Sequence, residues 1–117
     1  MVTDENNPGI LDFQDAVEGP YTYDLVSLLK DCYVKWPEEI TITRARYFFE
    51  RLEIEGISEL QFARDFDLMG VQRHLKAAGI FARLLHRDDK TGYLKDIPRT
   101  LSYILDITPR YEVLEFL

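Results

Sequence analysis

The stretch Gly9-Ile10-Leu11-Asp12-Phe13-Gln14-Asp15-Ala16-Val17-Glu18-Gly19-Pro20-Tyr21-Thr22-Tyr23-Asp24-Leu25 is where the chain changes character. Before it, Met1-Val2-Thr3 and Gly9-Ile10-Leu11-Asp12-Phe13 flank the turn cluster Asp4-Glu5-Asn6-Asn7-Pro8-Gly9, which predicts a short N-terminal β-hairpin. Such a hairpin is marginal in water by itself. After Gly19-Pro20 the pattern is helical to the end, so the fold class expected is mainly α with a short β-hairpin in front.

Working outward, Thr22 is placed to cap a helix and Asp24 lies in its first turn, where a carboxylate complements the helix dipole. Leu25, Val26, Leu28, Leu29, Cys32 and Tyr33 form its apolar face, and Trp36-Pro37 should close it. A second helix is expected after Thr43, running to Glu55 and stopped by Gly56. Ser58-Glu59-Leu60-Gln61 has capping-box spacing and should start a third, continuing to about Leu85 with a bend or break near Gly70. A turn over residues 88–92 precedes a helix from Asp96 to Asp106, and Thr108-Pro109 starts a short last one.

Composition narrows the class. The 117 residues carry 14 Lys+Arg against 21 Asp+Glu, a net charge of −7. Phosphate backbones and anionic membranes are poor partners for such a chain, so neither nucleic acid nor membrane is expected to bind. No apolar run is long enough to span a bilayer, and no signal peptide opens the chain. The single cysteine, Cys32, excludes an internal disulfide and suits a cytoplasmic location. The charge divides unevenly. Up to Asp67 there are 15 acids against 6 bases, and from Leu68 there are 6 against 8. Anion binding, if any, belongs to the second half.

Two places carry possible chemistry. On a helical wheel Leu68, Val71, Leu75, Ala78, Ala82 and Leu85 share one face of the third helix, with Ile80 and Leu84 opposite. Between them runs a polar stripe of Gln72, Lys76 and Arg83, flanked by Arg73 and Arg87. Lys76 and Arg83 either pair with acids of the first half or line a substrate cleft. His74 falls at the edge of the apolar face, the place of a hydrogen-bonded core histidine, and His86 is expected at the surface. The second place is Asp12, ending an apolar strand. Mg²⁺ needs one or two hard oxygen ligands besides water and phosphate oxygens, which such an aspartate supplies. An ordinary turn aspartate explains it more readily, since such residues are common after strands, and Asp15 is similar, with a helix-cap or turn role as the plainer reading. No Ser/His/Asp arrangement, paired Cys/His set or Gly-rich phosphate loop occurs.

The block from Ile10 to Pro20 with Tyr23-Asp24-Leu25-Val26-Ser27-Leu28-Leu29 resembles the metal-binding segment of the aminoglycoside phosphotransferase/choline-kinase-like superfamily. The Asp12-Phe13-Gln14-Asp15 run, Asp31-Cys32-Tyr33, Trp36-Pro37, Gly70 to Lys76, Gly79 to Leu84, Arg87 to Lys90, Gly92 to Leu94 and Ile97-Pro98-Arg99 resemble the bacterial anomeric kinases of N-acetylmuramate and N-acetylglucosamine within it.

That resemblance implies the C-terminal helical subdomain of a protein-kinase-like fold, with residues 1–21 as metal-site hairpin and loop and 22–117 as the helical part. It implies ATP and Mg²⁺ as cofactors and a small amino sugar as acceptor, phosphorylated on its anomeric hydroxyl in cell-wall recycling. Asp12 matches the Mg²⁺-binding aspartate, and Asp24 the helix-capping aspartate with a structural role. Gln14 and Asp15 replace the Gly-Arg pair usual in aminoglycoside kinases and become candidates for sugar contacts, as do Gln72, Arg73 and Lys76. The family's catalytic loop, a His-x-Asp-x-x-x-x-Asn run, and the ATP-binding lobe have no counterpart in the 117 residues. The chain alone is therefore expected to be inactive and, with apolar faces uncovered, to self-associate. Two alternatives stand beside this: a phosphotransferase of the same fold acting on another small alcohol, and a non-catalytic helical interaction module.

Overall fold

A computed structural model describes residues 4–5 and 17–117. The hairpin expected over residues 1–13 lies almost wholly outside the described residues, among which there is no strand. The rest is helical: α1 (Tyr23–Leu29), α2 (Glu38–Phe49), α3 (Glu59–Asp88) and α4 (Ile97–Ile107), with 3₁₀ turns at Thr91–Asp96, Thr108–Arg110 and Glu112–Leu114.

The two short helices differ from the sequence expectation, for local reasons. α1 stops at Leu29 instead of continuing to Trp36. Asp31 ends it: its carboxylate accepts the backbone N–H groups of Tyr33 at 2.6 Å and Val34 at 3.0 Å, a side-chain turn that competes with the helical ladder. α2 starts at Glu38, five residues before Thr43's end of the expected boundary, because Pro37 fixes an extended entry (φ −53°, ψ 140°) and Glu38 and Glu39 suit a first turn. It ends at Phe49, and Gly56, at φ +83°, lies in the loop beyond. Thr22 occupies the N-cap position of α1 but makes no capping bond; its hydroxyl is buried and turned towards the Asp65 carbonyl, 3.5 Å away.

α3 is the spine. Ser58 Oγ accepts from the Gln61 backbone N–H at 3.1 Å, the capping contact its spacing predicts. The helix then runs 30 residues without a break at Gly70. It ends where Asp89 adopts the left-handed conformation (φ +49°), which lets the N–H groups of Asp89 and Lys90 reach the carbonyls of Leu85 and Leu84, each at 3.1 Å. Its N-terminal half packs on α1 and α2 around Leu25, Val26, Leu29, Ala45, Phe62 and Phe66. Phe62 is the hub, with the rings of Tyr21, Phe48, Phe49 and Phe66 between 5.0 and 6.3 Å away. A second cluster joins Val71 to Ile104, Ile107 and Leu114 of α4 and the C-terminal turn.

The buried line of α3 is not the one its aliphatic residues suggested. Phe62, Phe66, Gly70, Val71, His74 and Phe81 are buried, whereas Leu75 and Ile80 are each 43% exposed. The second buried side is not the one Ile80 and Leu84 suggested: Phe62 packs in the cluster with α1 and α2, and Val71, about 180° round the helix at 100° per residue, in the cluster with α4. The aromatic residues, larger than Leu and Ile, take the core side, and His74 joins them by satisfying its ring nitrogen.

Candidate functional site

α3 presents two different faces. Towards α2 and α4 it closes one side of a cleft of about 540 Å³, floored by Ala45, Phe62, Phe66 and Ile107 and rimmed by Trp36 and Tyr103. Lys30 crosses this cleft from the end of α1. Its ammonium donates to Asp67 Oδ1 at 2.9 Å and lies 4.5 Å from the centre of the Phe66 ring, with only 9% of the side chain exposed and 14% of Asp67's. The Lys30 side chain passes over Gly70, where a Cβ would meet its Cδ at 3.4 Å, an ordinary van der Waals contact. Tyr111 donates its hydroxyl to Asp67 Oδ2 at 3.0 Å. Burial first, then the Asp67 charge, pushes the Tyr111 pKa up to about 12, so the phenol stays a donor. The remaining charges pair too: Arg46 with Glu59 at 2.7 Å and Lys35 with Asp106 at 3.3 Å. Arg110 reaches Glu38 at 3.6 Å and Asp67 at 3.9 Å. This is a balanced, self-satisfied ion network, which explains its stability rather than advertising a ligand.

His74 backs the same region. It is 1% exposed, stacks on Tyr103 with 4.4 Å between ring centres, and places Nε2 2.9 Å from the Lys30 carbonyl. A carbonyl only accepts, so Nε2 carries the proton and Nδ1 is left as a buried acceptor without a hydrogen bond among the described residues. Burial holds the His74 pKa below the ordinary 6.5. The unfolded chain therefore takes up the proton first as pH falls. The stability that neutral His74 contributes is complete above pH 6.5 and is lost as pH drops from there towards the folded-state pKa. We expect urea unfolding to show stability falling between pH 7.5 and 5.5 by at most about 1.4 kcal/mol per pH unit. The dependence should flatten in His74→Gln; an equally steep slope in that variant would exclude His74 as its source.

The other face of α3, about 120° round the helix at 100° per residue, is where Pro20–Tyr23 docks. Tyr21 donates its hydroxyl to Asp65 Oδ2 at 2.6 Å. Burial first, then this contact, raises its pKa to about 12. A shallow hollow of about 420 Å³ opens here between Pro20, Tyr21, Thr22 and Asp65, Leu68, Met69. The polar stripe continues from it on the same side. The guanidinium of Arg73 lies 4.5 Å from the centre of the Tyr23 ring, half-buried. Gln72 and Lys76 are exposed one position before and one turn beyond.

The sequence-derived candidates are distributed as follows. Asp12, Gln14 and Asp15 lie outside the described residues. Asp24 is exposed in the first turn of α1, and its side chain makes no hydrogen bond among the described residues, so the capping contact expected of it is not made there. Gln72, Arg73 and Lys76 do share one side of α3, and Arg73 ties that side to the segment that follows Asp12. Lys76 and Arg83 form no ion pair among the described residues, so pairing with acids of the first half is not seen. The Lys30–Asp67 cleft was missed, because nothing in a sequence marks a pair 37 positions apart. No group of three or more acidic, histidine or cysteine side chains gathers as a metal site among the described residues. No helix of the described residues is long and apolar enough to cross a membrane.

Comparison with known proteins places this geometry. The chain is 45% identical over 115 residues to the N-acetylmuramate/N-acetylglucosamine kinase of Neisseria meningitidis, covering 95% of this chain and 34% of that protein. It is 48% identical over 108 residues to the like-named kinase of Pseudomonas aeruginosa and 49% over 108 residues to that of Pseudomonas putida, each match covering 89% of this chain and 32% of the relative. The chain thus spans about a third of the length of these curated relatives. No solved structure matches it significantly. Residues 1–66, more than half of the chain, match the model of the phosphotransferase enzyme family, to which the chain belongs.

Proposed function

We propose that this chain is the C-terminal helical subdomain of an ATP-dependent sugar kinase that phosphorylates the anomeric hydroxyl of N-acetylmuramate or N-acetylglucosamine in the cytoplasm, during cell-wall recycling. The likeness to N-acetylmuramate/N-acetylglucosamine kinases over nearly the whole chain carries this reading.

Within it, Asp12 would hold Mg²⁺, and Gln14 and Asp15 are candidates for contacts to the acceptor sugar. Hard carboxylate oxygens, one or two in number, are the donor set this metal takes, and it would neutralise the charge on the transferred phosphoryl group. The described residues do the positioning. Tyr21 and Thr22 fasten the chain just before α1 to Asp65 on α3, and Arg73 of the stripe meets the ring of Tyr23 beside them. The stripe supplies the acceptor wall: an amide for hydroxyl groups and two cations without acidic partners among the described residues. Asp24 lies in the first turn of α1, where its carboxylate complements the helix dipole. The test is phosphorylation by the intact protein carrying this chain, across N-acetylated sugars and aminoglycosides. N-acetylmuramate and N-acetylglucosamine should be turned over and aminoglycosides should not; the reverse preference would sink the proposal.

The 117-residue chain by itself should be inactive and self-associating. Leu28 of α1, Leu60 at the start of α3, Leu105 of α4 and Phe116 are each at least 68% exposed, apolar surface that a second copy of the chain would cover on association. Sedimentation velocity should show the weight-average mass rising above 13.8 kDa with concentration. A mass constant at the monomer value up to the highest soluble concentration would contradict this.

A further inference from the structure

Arg73 is half-buried beside Tyr23, and no acid among the described residues pairs with it. A guanidinium settled on an aromatic ring has given up conformational freedom in advance, while its N–H donors stay available for a carboxylate fork. Its neighbourhood is rigid. Tyr23 opens α1, and the two residues before it are fastened to Asp65, whose carboxylate is taken by Tyr21 and by the Gln61 amide, both at 2.6 Å. Lys76, one turn on and on the same side, is a second cation without a partner among the described residues. A pair of cations with no counter-charge among the described residues, one of them pre-oriented, is an arrangement for an anion brought by a ligand. The ligand suggested by the preceding proposal comes in two forms, and they differ in just this respect. N-acetylmuramate is N-acetylglucosamine with a lactyl ether, and the lactyl group bears a carboxylate.

We infer that Arg73 is the specificity-determining residue for the acidic acceptor: its guanidinium holds the lactyl carboxylate of N-acetylmuramate, with Lys76 as auxiliary cation. The inference rests on the sugar-kinase reading of this site. A neutral acceptor makes no use of either charge, so it binds through other contacts of the same wall.

The experiment is steady-state kinetics of the intact protein on both sugars, for wild type, Arg73→Gln and Arg73→Lys. In Arg73→Gln the KM for N-acetylmuramate should rise by about tenfold to a hundredfold, the worth of hydrogen bonds to a charged group. The KM for N-acetylglucosamine should rise several-fold less, since that substrate has no carboxylate to lose its partner. Arg73→Lys should fall between, keeping the charge and losing the fork. Circular dichroism and thermal unfolding of each variant check that it is folded. Equal losses on the two sugars, or no change on either, would overturn the assignment while leaving the kinase intact. A wild-type protein inactive on both sugars would overturn the sugar-kinase reading itself, and this inference with it.

Discussion

Asp67→Ala should destabilise the chain by about 3–5 kcal/mol. Removing the carboxylate leaves the Lys30 ammonium in the cleft, 9% exposed, with the face of Phe66 as its nearest compensation. Tyr111 loses its acceptor, and Arg110 loses the farther of its two carboxylate neighbours, at 3.9 Å against 3.6 Å for Glu38. Much of the loss is the cost of an uncompensated buried charge rather than the net worth of the pair. Hence the paired replacement Lys30→Met with Asp67→Leu should cost far less than the single change, because hydrophobic side chains of similar volume offset the lost attraction. Urea denaturation of wild type, the single variant and the double variant measures this directly. A double variant as unstable as Asp67→Ala would mean that the site depends on shape and not on charge compensation.

Asp12→Ala in the intact protein should reduce turnover by more than about a thousandfold, because metal stabilisation of a transferred phosphoryl group is worth several kcal/mol of barrier. In the proposed role the aspartate would provide a hard oxygen ligand to the metal. Since a metal ligand acts on the reaction and only weakly on the fold, thermal unfolding without nucleotide should be nearly unchanged. A variant retaining wild-type turnover would remove Asp12 from the metal role. Loss of fold together with activity would assign it to structure instead.

How far these conclusions were legible in the amino-acid sequence varies by element. Ser58-Glu59-Leu60-Gln61 announced α3 because capping is a local interaction between neighbours in the chain, and Ser58 does cap it. Thr108-Pro109 announced a last turn for the same reason, although it is 3₁₀ and only three residues long. The end of α1 was read too late: Leu25, Val26, Leu29, Cys32 and Tyr33 keep helical spacing, and the side-chain turn of Asp31 overrides it. Periodicity also misjudged which side of α3 is buried. It weighed Leu75 and Ile80 like any aliphatic residue, whereas the packing of Phe62, Phe66, His74 and Phe81 against three other elements decided the orientation. The polar stripe was legible as a stripe, but its relation to the metal-site segment depends on Arg73 meeting Tyr23, 50 positions earlier, a contact no local pattern encodes. The resemblance of residues 10–29 carried the family, which the comparison bears out; the roles of Asp12, Gln14 and Asp15 rest on that resemblance.

The most direct test of the account is the position of the phosphate on the product made by the intact protein from ATP and N-acetylmuramate. Phosphorus and carbon NMR should place it on the anomeric carbon, with the sugar's reducing end lost as the reaction proceeds. A phosphate on any other hydroxyl, or no transfer to the sugar at all, would contradict it.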